Sequence, residues 1–300
     1  MTDLWSIAGE ECDLGYRNLR AGAYDDEREI RAELSALWQR YGPYADTDFV
    51  AGFAQDPDAR FWEMYLGCRL LDAGKALRPT VERLREGGQP DLCVIDGDRR
   101  IWIEAIAPGP GDDGPDQVRG PVPINEGGGV GVFPGRQAEL RMTSALWTKH
   151  QAMARYAAQG LFGADDLRII AISAGRFGLY ASDRPLPTIL SAVYPFGDQL
   201  VTLNEEGEVV GGGYEYAPRI GRKGGDVPRT AFLDPRFSEL AGVVWSRISI
   251  GQMSRAQRPL SFVHNLSSVR PLHDGWGCWD REWKARFEGA TLSVSDILLA

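Results

Sequence analysis

Apolar residues recur at steps of three and four over residues 24–41 (Ile30, Leu34, Leu37, Trp38, Tyr41). The spacing predicts a helix with acids at its start and Gly42-Pro43 as its stop. Residues 58–74 repeat the period with a broad apolar face of Phe61, Trp62, Tyr65, Leu66, Leu70 and Leu71, and Gly74 is a suitable stop. Residues 76–86 read as a short connection or strand leading into the turn Gly87-Gly88-Gln89-Pro90. The pattern then becomes strand-like at 91–96 and 101–107, two runs joined by the polar turn Asp96–Arg100. Residues 136–159 return to helical spacing, with Met142, Leu146, Lys149, Met153 and Tyr156 along one stripe. Residues 168–174 are a short aliphatic run suited to a buried strand. Beyond 176 turns dominate: 200–203 and 208–210 flank a hairpin turn, and 241–250 and 261–264 read as strands. This order predicts an α/β fold, a mixed β-sheet with helices on its faces.

No repeat or clean linker divides the chain. Three regions are expected within one continuous domain: an acidic helical stretch over 1–57, a core over 58–175, and a β-rich C-terminal extension over 176–300 packed on that core. Residues 108–135 stand apart, with nine glycines and six prolines in 28 positions. Loops of that length are usually functional or mobile, and this one leaves directly from the second strand, where it would serve as a flap or as a surface excursion.

Composition narrows the class. A chain of 300 residues with 43% hydrophobic and 25% charged positions is ordinary for a globular protein. It contains no long apolar run and no secretory leader at Met1–Trp5, so a cytoplasmic location is expected. The net charge of −9 is unevenly placed. Residues 1–66 hold 14 acids and 6 bases, whereas the remainder holds 28 and 27. An acidic N-terminal region argues against tight, sequence-indifferent nucleic-acid binding over the whole surface, though not against a local basic groove. It also offers a surface for a protein partner or a second copy. Cys12, Cys68, Cys93 and Cys278 are far apart and form no C-x-x-C pair, and only three histidines are present, so a zinc site is not expected.

Against this background three acids and one base stand out. Asp91 follows Pro90 and opens an apolar strand, and Glu104 lies inside the run Ile101-Trp102-Ile103-Glu104-Ala105-Ile106. A carboxylate among such neighbours is costly unless something pairs with it. On adjacent strands the two acids would meet at one end of the sheet, repel each other and prefer protonation, unless a hard cation such as Mg²⁺ took their oxygens. The Ala105 carbonyl could complete its shell. Glu63, on the preceding helix, could reach a metal-bound water or a second ion, with Gly67 leaving room. Lys149 is one of only four lysines and lies on the apolar stripe of its helix. It reads either as a snorkelling surface lysine or as a cation aimed at the acids.

Pro90-Asp91, then Glu104 after 12 intervening residues, with Glu63 on the helix before them, resembles the PD-(D/E)xK nuclease superfamily over about residues 58–175. The resemblance implies a restriction-endonuclease-like fold and Mg²⁺- or Mn²⁺-dependent cleavage of phosphodiesters in nucleic acid, DNA or RNA. The implied catalytic residues are Glu63, Asp91, Glu104 and Lys149, with Asp91, Glu104, Ala105 and Glu63 as metal ligands. One departure is plain. The motif lysine expected two residues after Glu104 is Ile106, so the base would come from Lys149 on the neighbouring helix. Gln151 and Tyr156 are similar to residues of that helix in the superfamily, at a different spacing. The alternative is a catalytically inactive nucleic-acid- or protein-binding member of the same fold.

Other features carry less. Glu104 could instead pair with Arg141. Arg219, Arg222, Lys223 and Arg229 could follow phosphates or decorate a solvated hairpin tip. His264 and His273 lack evident companion ligands. Gly127–Gly131 is not a phosphate loop, because no Gly-Lys-Ser/Thr follows. The aromatic Trp276–Trp283 segment reads as core packing.

Overall fold

The computed structural model of the chain describes residues 2–83, 88–120, 133–182, 186–253 and 259–298. The glycine run 127–131 and much of the flap expected over 108–135 lie outside the described residues. Four helices come first: α1 (Leu14–Ala21), α2 (Asp25–Tyr41), α3 (Phe49–Gln55) and α4 (Pro57–Asp72). The strands β1 (Ala76–Leu77), β2 (Leu92–Asp96) and β3 (Arg99–Ile106) follow, then the 24-residue helix α5 (Gly135–Ala158) and strand β4 (Leu167–Ser173). The C-terminal half adds α6 (Thr188–Val193), the hairpin β5 (Phe196–Leu203) and β6 (Val209–Tyr216), and the short pair β7 (Arg219–Ile220) and β8 (Val227–Pro228). It ends with β9 (Leu240–Ser246), β10 (Ser261–His264), β11 (Arg281–Glu288) and β12 (Thr291–Leu298).

Eight strands form one mixed sheet in the order β1-β2-β3-β4-β9-β10-β11-β12. β1, β2 and β3 run antiparallel, β3, β4 and β9 parallel, and β10 and β11 parallel to each other but antiparallel to their outer neighbours. The β2–β3 turn needs only two central residues, because Gly97 takes a φ of +64°, the left-handed value that the first central position of a type II′ hairpin demands. Alternation along the central strands feeds two cores. Leu167, Ile169 and Ala171 of β4 pack with helices α1–α4, while Ile170 and Ile172 pack with α5 and α6. A continuous aliphatic run is what a strand covered on both faces requires. The Trp62 indole donates to the Ala171 carbonyl at 3.1 Å and pins α4 to the centre of the sheet.

The region after 176 is more regular than its turn-rich sequence suggests. Four of its strands extend the central sheet, and β11 and β12 pair over eight residues. The strand expected over 241–250 stops at Ser246, whose hydroxyl accepts from the Ile248 N–H and turns the chain away. The hairpin β5–β6 stands outside the main sheet, largely exposed on both faces. Among the described residues, no helix is long and apolar enough to cross a membrane.

Candidate active site

The pairing of β2 with β3 sets Leu92 opposite Ile103, so Asp91, one residue earlier, reaches the level of Glu104 and Ala105. Its Oδ2 accepts the Ala105 N–H at 2.6 Å. Ile101 and Ile103 fill the core under α4, so Glu104, one residue out of phase, projects toward α5. There the Lys149 Nζ lies 2.7 Å from Glu104 Oε1. The other oxygen, Glu104 Oε2, is buried and makes no hydrogen bond of normal geometry, although the Asp91 N–H lies near enough to the carboxylate to pull its pKa down. Met142, Leu146 and Met153 of the same helical stripe are buried, which holds α5 on the sheet and directs Lys149 at the acid. Arg141 is not the partner of Glu104; its Nε donates to the Gly109 carbonyl at 2.9 Å.

Glu63 belongs to the opposite face. Its Oε1 accepts the Tyr41 hydroxyl at 2.6 Å and its Oε2 the Arg60 Nη1 at 2.9 Å; Arg60 also reaches Asp46 at 3.3 Å. Gly67 makes this possible. A Cβ there would fall 2.5 Å from the Tyr41 ring, so the space it leaves is taken by the tyrosine that holds Glu63. One oxygen from each of Glu63, Asp91 and Glu104 does not come within 4.8 Å of the other two, a spacing that among the described residues is met by His264, Asp274 and Glu282. The structure thus brings together Asp91, Ala105, Glu104 and Lys149, with Glu63 behind Asp91 as an electrostatic neighbour.

The charges are strongly coupled. Burial and the Asp91 charge push Glu104 up to about 8 against the pull of Lys149 and of the Asp91 N–H. Glu63 also rises to about 8, through burial and Asp91, opposed by Arg60 and Tyr41. Asp91 is raised by burial, opposed by Lys149, the Ala105 N–H and two arginines. Burial lowers the Lys149 pKa, but Glu104 and Asp91 outweigh it and the net direction is upward. These directions conflict for the Glu104–Lys149 pair, since a raised acid favours neutrality and a raised lysine presupposes an anion. The 2.7 Å contact favours the ion pair, with the excess proton shared among the remaining acids.

The donor set fits a hard divalent cation. Two carboxylates from adjacent strands disfavour each other's ionisation, one keeps a buried oxygen without a hydrogen bond of normal geometry, and oxygen ligands are what Mg²⁺ and Mn²⁺ take. Asp91, Glu104 and the Ala105 carbonyl are the residues that would hold it.

Three neighbours, Tyr41, Arg60 and Arg83, were not named from the sequence as site residues. Tyr41 and Arg60 fix Glu63; Arg60 had a signal, since it lies three residues before Glu63 on one helix face. Arg83 is buried and donates to the carbonyls of Pro90 and Asp91, clamping the motif's first half. The Tyr156 phenol, pushed to about 12 by burial and by Glu104 and Asp91, borders the same space. Gln151 is exposed. Arg229 is no surface cation: it is buried and donates to the carbonyls of Ser191 and Phe196. No protein family, curated protein or solved structure matches the chain.

Proposed function

We propose that the chain is a metal-dependent phosphodiesterase acting on nucleic acid, of the PD-(D/E)xK type, with α4-β1-β2-β3-α5-β4 as a restriction-endonuclease-like core. The observation that carries this reading is the buried Glu104 carboxylate, one oxygen on Lys149 and the other without a hydrogen bond of normal geometry, beside Asp91. A purely structural ion pair gains nothing from an unsatisfied buried oxygen. The element order supports the reading as well: helix, strands, helix, strand, with the acids on the central strands.

In this mechanism Asp91, Glu104 and the Ala105 carbonyl would hold the cation. Mg²⁺ or Mn²⁺ bound there would supply a water of lowered pKa and neutralise phosphate charge. Lys149 stays protonated beside its two acids, so it acts as a donor that orients water and stabilises charge on the phosphoryl oxygens rather than as a base. Glu63, held by Tyr41 and Arg60, shapes the field at Asp91. Arg83 fixes the Pro90-Asp91 backbone, which sets where the Asp91 carboxylate starts.

The test is Mg²⁺-dependent cleavage of single- and double-stranded DNA and RNA by wild type and by Asp91→Ala; activity that survives the substitution eliminates this site. Ile106 at the motif's lysine position, and a Lys149 already neutralised by Glu104, favour the second reading, a non-catalytic binding member of the same fold. Calorimetry separates the two, because tight Mg²⁺ or Mn²⁺ binding that depends on Glu104 counts against the second.

A further inference from the structure

A second group of ligating side chains lies three strands across the sheet from Glu104 and on its other face. His264 closes β10, and Glu282 lies in the parallel neighbour β11, whose register sets Glu282 beside Phe262. Phe262 packs in the α1–α4 core, so His264 and Glu282, in phase with it, share that face. His264 Nε2 is 3.0 Å from Glu282 Oε2 and 3.9 Å from Asp274 Oδ1, and the three donor atoms lie within 4.8 Å of one another. Two ligand atoms bound tetrahedrally to zinc are about 3.3 Å apart, given bonds of about 2.0–2.1 Å. The two measured separations lie on either side of that value.

The surroundings are those of a built site. Glu282 is fully buried, and its Oε1 accepts the Gly275 N–H at 2.9 Å. Backbone donors of this kind orient a ligating carboxylate and leave its second oxygen for the metal. The Tyr194 hydroxyl donates to the His264 carbonyl at 2.8 Å, and the Phe262 ring abuts the imidazole edge-on, which fixes the histidine. Asp274 is exposed, so a fourth position opens to solvent. The Lys284 ammonium rests on Asp274 and is the cation that a metal would displace.

We propose that His264, Asp274 and Glu282 form a zinc site that fastens the loop between β10 and β11 to both strands, with the partly exposed Lys284 as a displaceable stand-in. One imidazole and two carboxylates suit Zn²⁺ better than Mg²⁺, which separates this site from the oxygen-only set at Asp91 and Glu104.

The experiment is calorimetric and mass-spectrometric titration of the full chain with Zn²⁺, in wild type, Asp274→Ala, Lys284→Ala and Asp91→Ala. Both Asp274 and Lys284 are surface residues, so their variants fold. One equivalent should bind, persist in Asp91→Ala, weaken by at least about tenfold in Asp274→Ala and tighten several-fold in Lys284→Ala, since a ligand is lost in one case and a competing cation in the other. X-ray absorption of the loaded protein should show nitrogen and oxygen neighbours without sulfur. The proposal is overturned by the absence of stoichiometric Zn²⁺ binding, by affinity indifferent to Asp274→Ala, or by affinity that does not rise in Lys284→Ala; each of these leaves a plain His264–Glu282 pair.

Discussion

The α4 face and the α5 face of the sheet each bury a glutamate near Asp91, and both acids are pushed to about 8, yet they are treated differently. Glu63 is satisfied at both oxygens, by Tyr41 and by Arg60. Glu104 is satisfied at one oxygen and has no hydrogen bond of normal geometry at the other. A perturbed acid is therefore not in itself a sign of chemistry. What separates a fastener from a reactive group is whether its hydrogen-bonding capacity has been used up by the fold.

The sharpest way to break this contrast is to neutralise each acid in turn. Glu104→Gln and Asp91→Ala should lower Mg²⁺-dependent cleavage by on the order of 10³-fold or more. Glu104→Gln should leave stability within about 1 kcal/mol, because the amide still offers Lys149 an acceptor. Thermal denaturation alongside the nuclease assay checks both halves. Glu63→Ala should do the opposite, destabilising the fold by about 3 kcal/mol in denaturant titration, because Arg60 and Tyr41 lose a buried partner, while residual activity per folded molecule falls far less. A Glu63→Ala protein of wild-type stability and no activity would invert the assignment.

Lys149→Met should cost about 10²-fold in turnover while retaining cation binding, and Lys149→Arg should recover part of it. Equal loss of cation affinity would show that the lysine organises the acids rather than the reaction. The smallest effect is on pH. The raised carboxyls of Glu63 and Asp91 contribute stability that is fully present below their ordinary values and is lost as pH rises through their raised ones, about 8 for Glu63. The metal-free protein should therefore lose a few degrees of Tm between pH 5 and 8. Mg²⁺ should restore them increasingly toward pH 8, with proton release seen as buffer-dependent heats of binding.

Much of the core was readable because its segments carry long, one-sided patterns. The stripe Met142–Leu146–Met153 marked the helix and the lone acid in the β3 run marked Glu104, while the direction of Lys149 stayed open until α5 was seen packed on the sheet. What escaped was short or defined only by contact. α1, α3 and α6 span eight residues or fewer, too few for a period to declare itself. β11 reads Arg-Glu-Trp-Lys-Ala-Arg-Phe-Glu, where charges mask the alternation of Trp283, Ala285 and Phe287, and it is a strand through its backbone pairing with β10 and, over eight residues, with β12. Arg83 was invisible for a similar reason. Nothing local distinguishes a buried guanidinium clamped to two carbonyls from the exposed arginines around it.

The placing of β9 beside β4 has a consequence for how this protein can be divided. The sequence break near 176 looks like a natural place to stop, but a chain ending there would expose the flank of Leu167–Ser173, an aliphatic strand with every donor and acceptor on that side unmatched. Such a fragment would recruit another copy of itself before it recruited a substrate. The strands from β9 onward seal the half that carries Asp91 and Glu104, and shortening the chain from that end should register first as insolubility.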